Sequence, residues 1–185
     1  MRHKDQRVGV FIDVSNMYHS AKNLYGTKVN FQEVLKLAVS ERLLIRAIAY
    51  VVKSSSSEEE VFFEALDKQG FEVKTKDLQI FFSGAKKADW DVGIAVDAIK
   101  MADKLDVIVL VTGDGDFAPL IMYLKENKGC LVEVIGFGRT TSSKLREIAD
   151  DLTDLDENPK CLIKPKLQDM KRPQRNKSPR LHSFF

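Results

Sequence analysis

The sequence predicts an α/β class protein: a three-layer, Rossmann-like domain around a mostly parallel sheet of five to six strands. Two observations carry that expectation. Short, nearly continuous apolar runs recur along the chain, VGVFI at 8–12, VIVLV at 107–111 and LVEVI at 131–135, and such runs read as strands buried on both faces. Segments with helical spacing separate them, and strands alternating with helices argue for parallel strands joined by right-handed crossovers.

The elements follow in order. Residues 8–12 form the first strand. Asp13-Val-Ser-Asn16 ends it, with Ser15 or Asn16 placed to cap the next helix. Asn30 caps another, in which Phe31, Val34, Leu35 and Ala38 recur at helical spacing. Residues 43–52 read as the second strand. Four serines at 54–57 make a loop, and Ser57 with Glu60 fits a capping box. The helix that follows carries Val61, Phe62, Ala65 and Leu66 and ends at Gly70. Residues 71–82 give a third strand and a polar crossing, and SGAKK at 83–87 a basic loop. A long helix then sets Val92, Ala95, Val96, Ile99 and Ala102 on one stripe. Residues 107–111 are the fourth strand, 117–124 open another helix, and 131–135 are the fifth strand. A last helix covers 142–149, and 152–155 make a short final strand.

Composition sets the bounds. The chain has 185 residues, 44% of them apolar, enough for one domain with a core and a short extension. Net charge is only +2, but it is unevenly spread. Residues 160–185 hold eight Lys/Arg and one acid, Asp169, a net of +7, and the residues before them carry about −5. Residues 1–157 are therefore expected to form the domain, and 158–185 a basic tail too poor in apolar residues to order itself. Cys130 and Cys161 have neither metal-ligand spacing nor a partner pattern, so a reducing, cytoplasmic compartment is expected. No run approaches the ~18 apolar residues of a membrane span, and the short apolar N-terminal stretch reads as a strand rather than a signal peptide.

The chemistry gathers where strands end. Asp13 closes the first strand, Asp114 and Asp116 follow the fourth in VLVTGDGDFAPL, and Asp89 and Asp91 open the long helix. If the first and fourth strands are neighbours, these acids converge on the carboxyl edge of the sheet, where such folds bind ligands. One reading is that each aspartate caps its own helix. The other is that several carboxylates on one edge repel one another until a divalent, oxygen-loving cation joins them. Competing uses of this edge fit less well. The first turn is DVSNMY and lacks a dinucleotide glycine fingerprint, and GFGRTTS at 136–142 comes after the fifth strand. No phosphate-binding loop of the Gly-Lys-Ser/Thr type occurs. The third residue of the first turn is Ser15 where haloacid-dehalogenase-like phosphatases want an acid, and Met17 stands where a metal-dependent adhesion site wants serine.

FIDVSNMYHSAKNLYG, KKADWDVGIAVDAIKMA and LVTGDGDFAPLIMYLKENKGCLVEVIGFGRTTSSKLREIADDLTDLD together resemble the NYN domain family, in its LabA-like branch, within the PIN-like nuclease superfamily. The resemblance covers residues 8–156. It implies a Rossmann-like domain with an acidic metal centre that cleaves RNA using Mg²⁺ or Mn²⁺. Carried over position by position, its acids fall on Asp13, Asp91, Asp114 and Asp116 as metal ligands and catalytic residues, with Asn16 as the nearby polar group. Asp97 also matches, but lies about 120° around the helix from Asp91, so Asp97 and Ser15 are expected behind the ligands rather than on the ion.

RNA is the expected partner, with no membrane and with a homodimer left open. Lys86, Lys87, Arg139 and Lys144 are candidates for RNA contact at the rim, the first two otherwise reading as a solvated loop. Trp90 either stacks a base or packs, packing being the first reading. His3 and His19 read as surface residues and Phe117 as core. A non-catalytic RNA-binding or regulatory module that retains the acidic site is the alternative, and a phosphatase of small esters a weaker third.

Overall fold

The computed structural model describes residues 2–53, 57–77, 79–80, 86–87 and 89–163. Along the chain run β1 (Arg7–Asp13), α1 (Val14–Tyr25), α2 (Phe31–Val39), β2 (Leu43–Lys53), α3 (Ser57–Lys68), β3 (Glu72–Asp77), β4 (Gln79–Ile80), β5 (Lys86–Lys87), α4 (Asp91–Ala102), β6 (Val107–Val111), α5 (Ala118–Lys128), β7 (Leu131–Gly136), α6 (Ser143–Ile148) and β8 (Asp151–Asp154). Six strands form one sheet in the order β3-β2-β1-β6-β7-β8, and every neighbouring pair is parallel. Strand order reverses between β1 and β6, as in doubly wound nucleotide-binding sheets.

Two apolar layers flank the sheet. On one face Val8, Val10, Ile12, Val107, Val109 and Val111 pack with Met17 and Ala21 of α1, Val34 and Ala38 of α2 and Leu66 of α3. On the other, Phe11, Ile48, Ile108, Leu110, Val132 and Val134 meet Ile94 and Ala98 of α4, Ile121 and Leu124 of α5 and Leu145 of α6. All five residues of β6 are buried, which is why that strand reads as an unbroken apolar run. Asn30 caps α2, accepting from the Glu33 N–H, and Phe31, Val34, Leu35 and Ala38 are that helix's buried residues.

Four expectations change. The buried stripe of α4 is Ile94, Ala98 and Ala102. Val92 is 74% and Val96 41% exposed. The helix is apolar nearly all round, so spacing alone could not choose its inner face. Lys86 and Lys87 do not lie in a loop: their backbone pairs antiparallel with Gln79–Ile80, while 83–85 and the lysine side chains lie outside the described residues. Packing also runs past the expected boundary at 157. Cys161 is fully buried, its carbonyl accepts from the Asn30 N–H at 2.7 Å, and Ile163 donates to the Lys28 carbonyl at 2.8 Å. An apolar Cys-Leu-Ile triplet in a basic stretch is enough to dock the chain on α2. The fourth change, the cap of α1, belongs to the site. The serine loop at 54–56 and the rest of the basic tail, 164–185, lie outside the described residues.

Candidate metal centre

Because β1 and β6 are neighbours where the order reverses, the turns leaving them open onto one crevice. Asp13 is the last residue of β1. Its Oδ1 accepts from the Asn16 N–H at 3.0 Å, so Asp13 itself, rather than Ser15 or Asn16, caps α1. The chain turns helical at Val14, two or three residues sooner than a cap at Ser15 or Asn16 would allow. Asn16 is thereby freed to reach sideways: its side-chain oxygen accepts from the Gly113 N–H at 3.0 Å, tying α1 to the turn after β6.

That turn is built from short-range bonds. The Asp114 N–H donates to the Thr112 hydroxyl at 3.2 Å, and the Asp116 N–H donates to Asp114 Oδ1 at 2.9 Å. A 3-10 turn, Gly115–Phe117, results, with Phe117 buried at its end. The loop after β7 backs it, Ser142 donating to the Gly113 carbonyl at 2.9 Å. A Cβ at Gly113 would lie 3.0 Å from the Thr140 carbonyl oxygen, so only glycine lets the two loops touch.

Asp91 enters from the first turn of α4. One oxygen from each of Asp91, Asp114 and Asp116 lies within 4.8 Å of the other two. Asp91 and Asp114 are half-buried and Asp116 exposed. A cleft of about 160 Å³ joins Asp91 and Asp114 to Asp13, Ser15, Asn16 and His19 on one side and to Val52, Asp89 and Trp90 on the other. Asp13 thus shares the cleft without joining the close triad. A wider hollow of about 650 Å³ lies between Asn30 and Ile163. Its one acid, Glu33, is paired with Lys36 at 2.6 Å, so the acidic cluster lies in the smaller cleft.

Electrostatics match the crowding. Burial, then the charges of Asp114, Asp13, Asp89 and Asp116, push Asp91 up to about 6. Burial also raises Asp13, with Asp114 adding to it and the Asn16 and Ser15 N–H groups opposing. Asp97 has another use. Its Oδ2 accepts from the Tyr50 hydroxyl at 2.8 Å and the Lys74 ammonium at 2.7 Å. Burial alone would raise it, but these two partners hold it below the usual range.

Of the rim cations, Arg139 is paired with Asp156 at 3.3 Å and lies 4.8 Å from the Tyr25 ring centroid, while Lys144 is exposed on α6. Lys76 of β3, which sequence reasoning passed over, donates to the Asp89 carbonyl at 3.1 Å and sits 5.8 Å from the Trp90 ring centroid. Only the pairing of β3 beside β2 brings it there, and no local motif signals that.

The family model for the NYN domain matches residues 7–156. The chain is 28% identical over 165 residues to Low amplitude and bright protein LabA of Synechococcus elongatus, which takes in 85% of this chain and 88% of that one. It is also similar to a protein of unknown function from Vibrio parahaemolyticus whose crystal structure is solved. The TM-score is 0.80 and the identity 31%, over 88% of this chain and 99% of that one.

Proposed function

The chain belongs to the NYN domain family, and from that premise we propose that it is a metal-dependent ribonuclease. The observation that carries the reading is the triad of carboxylate oxygens from Asp91, Asp114 and Asp116, within 4.8 Å of one another, at the reversal point of a parallel sheet. The donor set fits a resident ion. It is all carboxylate oxygen, with no thiolate or imidazole in the group, which suits a hard cation such as Mg²⁺ or Mn²⁺ over a softer one. When bound, such an ion supplies positive charge to a scissile phosphate and its leaving oxygen, and acidifies an attacking water.

The chain's own groups do the rest. Asp13 stands across the cleft, where a fourth carboxylate can hold a water or share the ion. With its oxygen committed to the Gly113 N–H, Asn16 keeps its amide N–H₂ to donate to a phosphate oxygen, adding no negative charge. Asp97 stays on Tyr50 and Lys74, outside the reaction, and Ser15 contributes its backbone N–H beside Asp13.

The test is incubation of labelled single-stranded and structured RNA with the pure protein in Mn²⁺, Mg²⁺ or EDTA. Wild type should cut RNA only with metal, and Asp114→Asn and Asp13→Asn should both lose at least about two orders of magnitude in rate while staying folded. Equal cleavage by all three proteins assigns the activity elsewhere. RNA binding without cleavage in any metal favours the alternative, a non-catalytic RNA-binding or regulatory module that retains the acidic site.

A further inference from the structure

We infer that Trp90 is a positioning residue: its indole clamps the start of α4 to the end of β2 and so sets where the Asp91 carboxylate stands relative to Asp114 and Asp116. The inference rests on the metal-centre reading above and names the part of the fold that tunes that centre.

Two carboxylates of the crevice, those of Asp13 and Asp114, are each fixed by their own turn. Asp13 holds the Asn16 N–H and Asp114 holds the Asp116 N–H. Among the described residues nothing hydrogen-bonds the Asp91 carboxylate, and α4 has no side-chain cap, the capping position being Trp90 itself. The placement of Asp91 is therefore inherited from the helix, and Trp90 is what holds the helix start. Its Nε1–H donates to the Val51 carbonyl at 2.9 Å, one residue past the last β1–β2 register pair, Asp13 with Tyr50. Its ring meets the fully buried Tyr50 ring edge-on at 5.3 Å. Tyr50 is itself anchored through Asp97 to Lys74. Lys76 lies against the indole.

The helix makes room for the indole at one residue. A Cβ at Gly93 would lie 2.5 Å from Trp90 Cε3 and 2.9 Å from Cζ3. A glycine inside a helix is less favourable than alanine, and here that cost admits the ring. Helix propensity and the clamp thus make opposite predictions for Gly93→Ala. Propensity alone says the variant is more stable and binds metal as before. The clamp says the indole is pushed off and Asp91 moves with it.

Trp90 is the chain's one tryptophan, so its fluorescence reports this spot alone. The experiment titrates Mn²⁺ into wild type, Gly93→Ala and Trp90→Phe by calorimetry. Trp90 emission is followed in the first two, and melting in EDTA is recorded for all three. Wild type should bind with a change in Trp90 emission. Both variants should bind about ten- to a hundredfold more weakly, the usual loss when a group orienting a metal ligand is removed. Trp90→Phe keeps an aromatic ring beside Tyr50 and loses the N–H bond with the second ring, so its melting in EDTA sets the stability loss against which its metal affinity is judged. Unchanged Mn²⁺ affinity in both variants, with wild type binding, overturns the clamp and leaves the metal centre standing. A loss of affinity no greater than the loss of stability in EDTA explains also overturns it. No Mn²⁺ binding by wild type overturns the metal centre and the clamp together.

Discussion

Single residues already carry two opposed requirements at Asp91. The folded protein prefers it protonated, since its value is pushed from 3.8 up to about 6. For a carboxyl raised in the folded state, stability is fully present below the unfolded value and is lost as pH rises through the folded one. Asp13 is shifted the same way. Asp97, Asp106 and Asp156 are held low, so their contributions are lost only at more acid pH, outside this window. The metal-free protein should therefore melt lower at pH 7 than at pH 5. A cation competes with the proton, so the rise in melting temperature on adding Mn²⁺ should grow over the same interval. Asp114→Asn should abolish that rise and melt above wild type in EDTA. Scanning calorimetry at the two pH values, with Mn²⁺ and with EDTA, checks all three statements. A metal-free protein no less stable at pH 7 would mean that burial and crowding do not raise these carboxyls as placed.

Elements are held in register by pairs that sit far from the crevice. Arg42, in the turn between α2 and β2, is 5% exposed and grips Glu133 of β7 in a two-pronged ion pair, at 2.7 and 2.9 Å. Its remaining N–H groups donate to the Ala38 and Val39 carbonyls at the end of α2, and Arg2 adds a second cation at 3.2 Å from Glu133. Removing one partner of a buried pair leaves a charge with no counterion, which costs about 3–5 kcal/mol. Arg42→Ala should lose that much in urea unfolding. Arg42→Met combined with Glu133→Leu should recover most of it, because two apolar groups of similar size need no counterion. A single variant as stable as wild type would show that Glu133 finds its counterion in Arg2 instead.

At the scale of the whole molecule the distribution of charge sets a problem. An acidic crevice in a body of about −4 repels a polyanion, while the residues after Ile163 hold seven Lys/Arg against Asp169. We propose that they tether RNA electrostatically, gaining affinity by counterion release. The packing of Cys161 moves the place to cut: truncation after Asn158 removes that buried side chain, truncation after Ile163 keeps it. Deleting 164–185 should leave melting and turnover at saturating RNA unchanged. It should weaken RNA binding and flatten its salt dependence by about 0.7 in log–log slope per lost phosphate contact to a single strand. Identical affinity and slope in filter binding across a salt series would move the search to Lys76 and Lys144.

The sequence by itself determined the order of strands and helices, the β4–β5 pair excepted, and that its strand-end aspartates fall at the carboxyl edge of the sheet. Both are local matters: apolar runs such as VIVLV have one low-energy use in a parallel sheet, and aspartates following a buried strand fall at its carboxyl end wherever that strand sits. It also read Phe117 and the inner face of α2 correctly, because Phe31, Val34, Leu35 and Ala38 recur at helical spacing and Phe117 begins the apolar face of its helix. The tertiary structure decided what depends on neighbours distant in sequence. It chose the inner face of α4, whose apolar residues run nearly all round. It sent Asp97 to Tyr50 and Lys74 and brought Lys76 to the cleft. It also packed Cys161 under α2, and it set Trp90 against Gly93 and Val51. In each case several partners were chemically acceptable, and only the folded arrangement of sheet and helices placed one of them within reach.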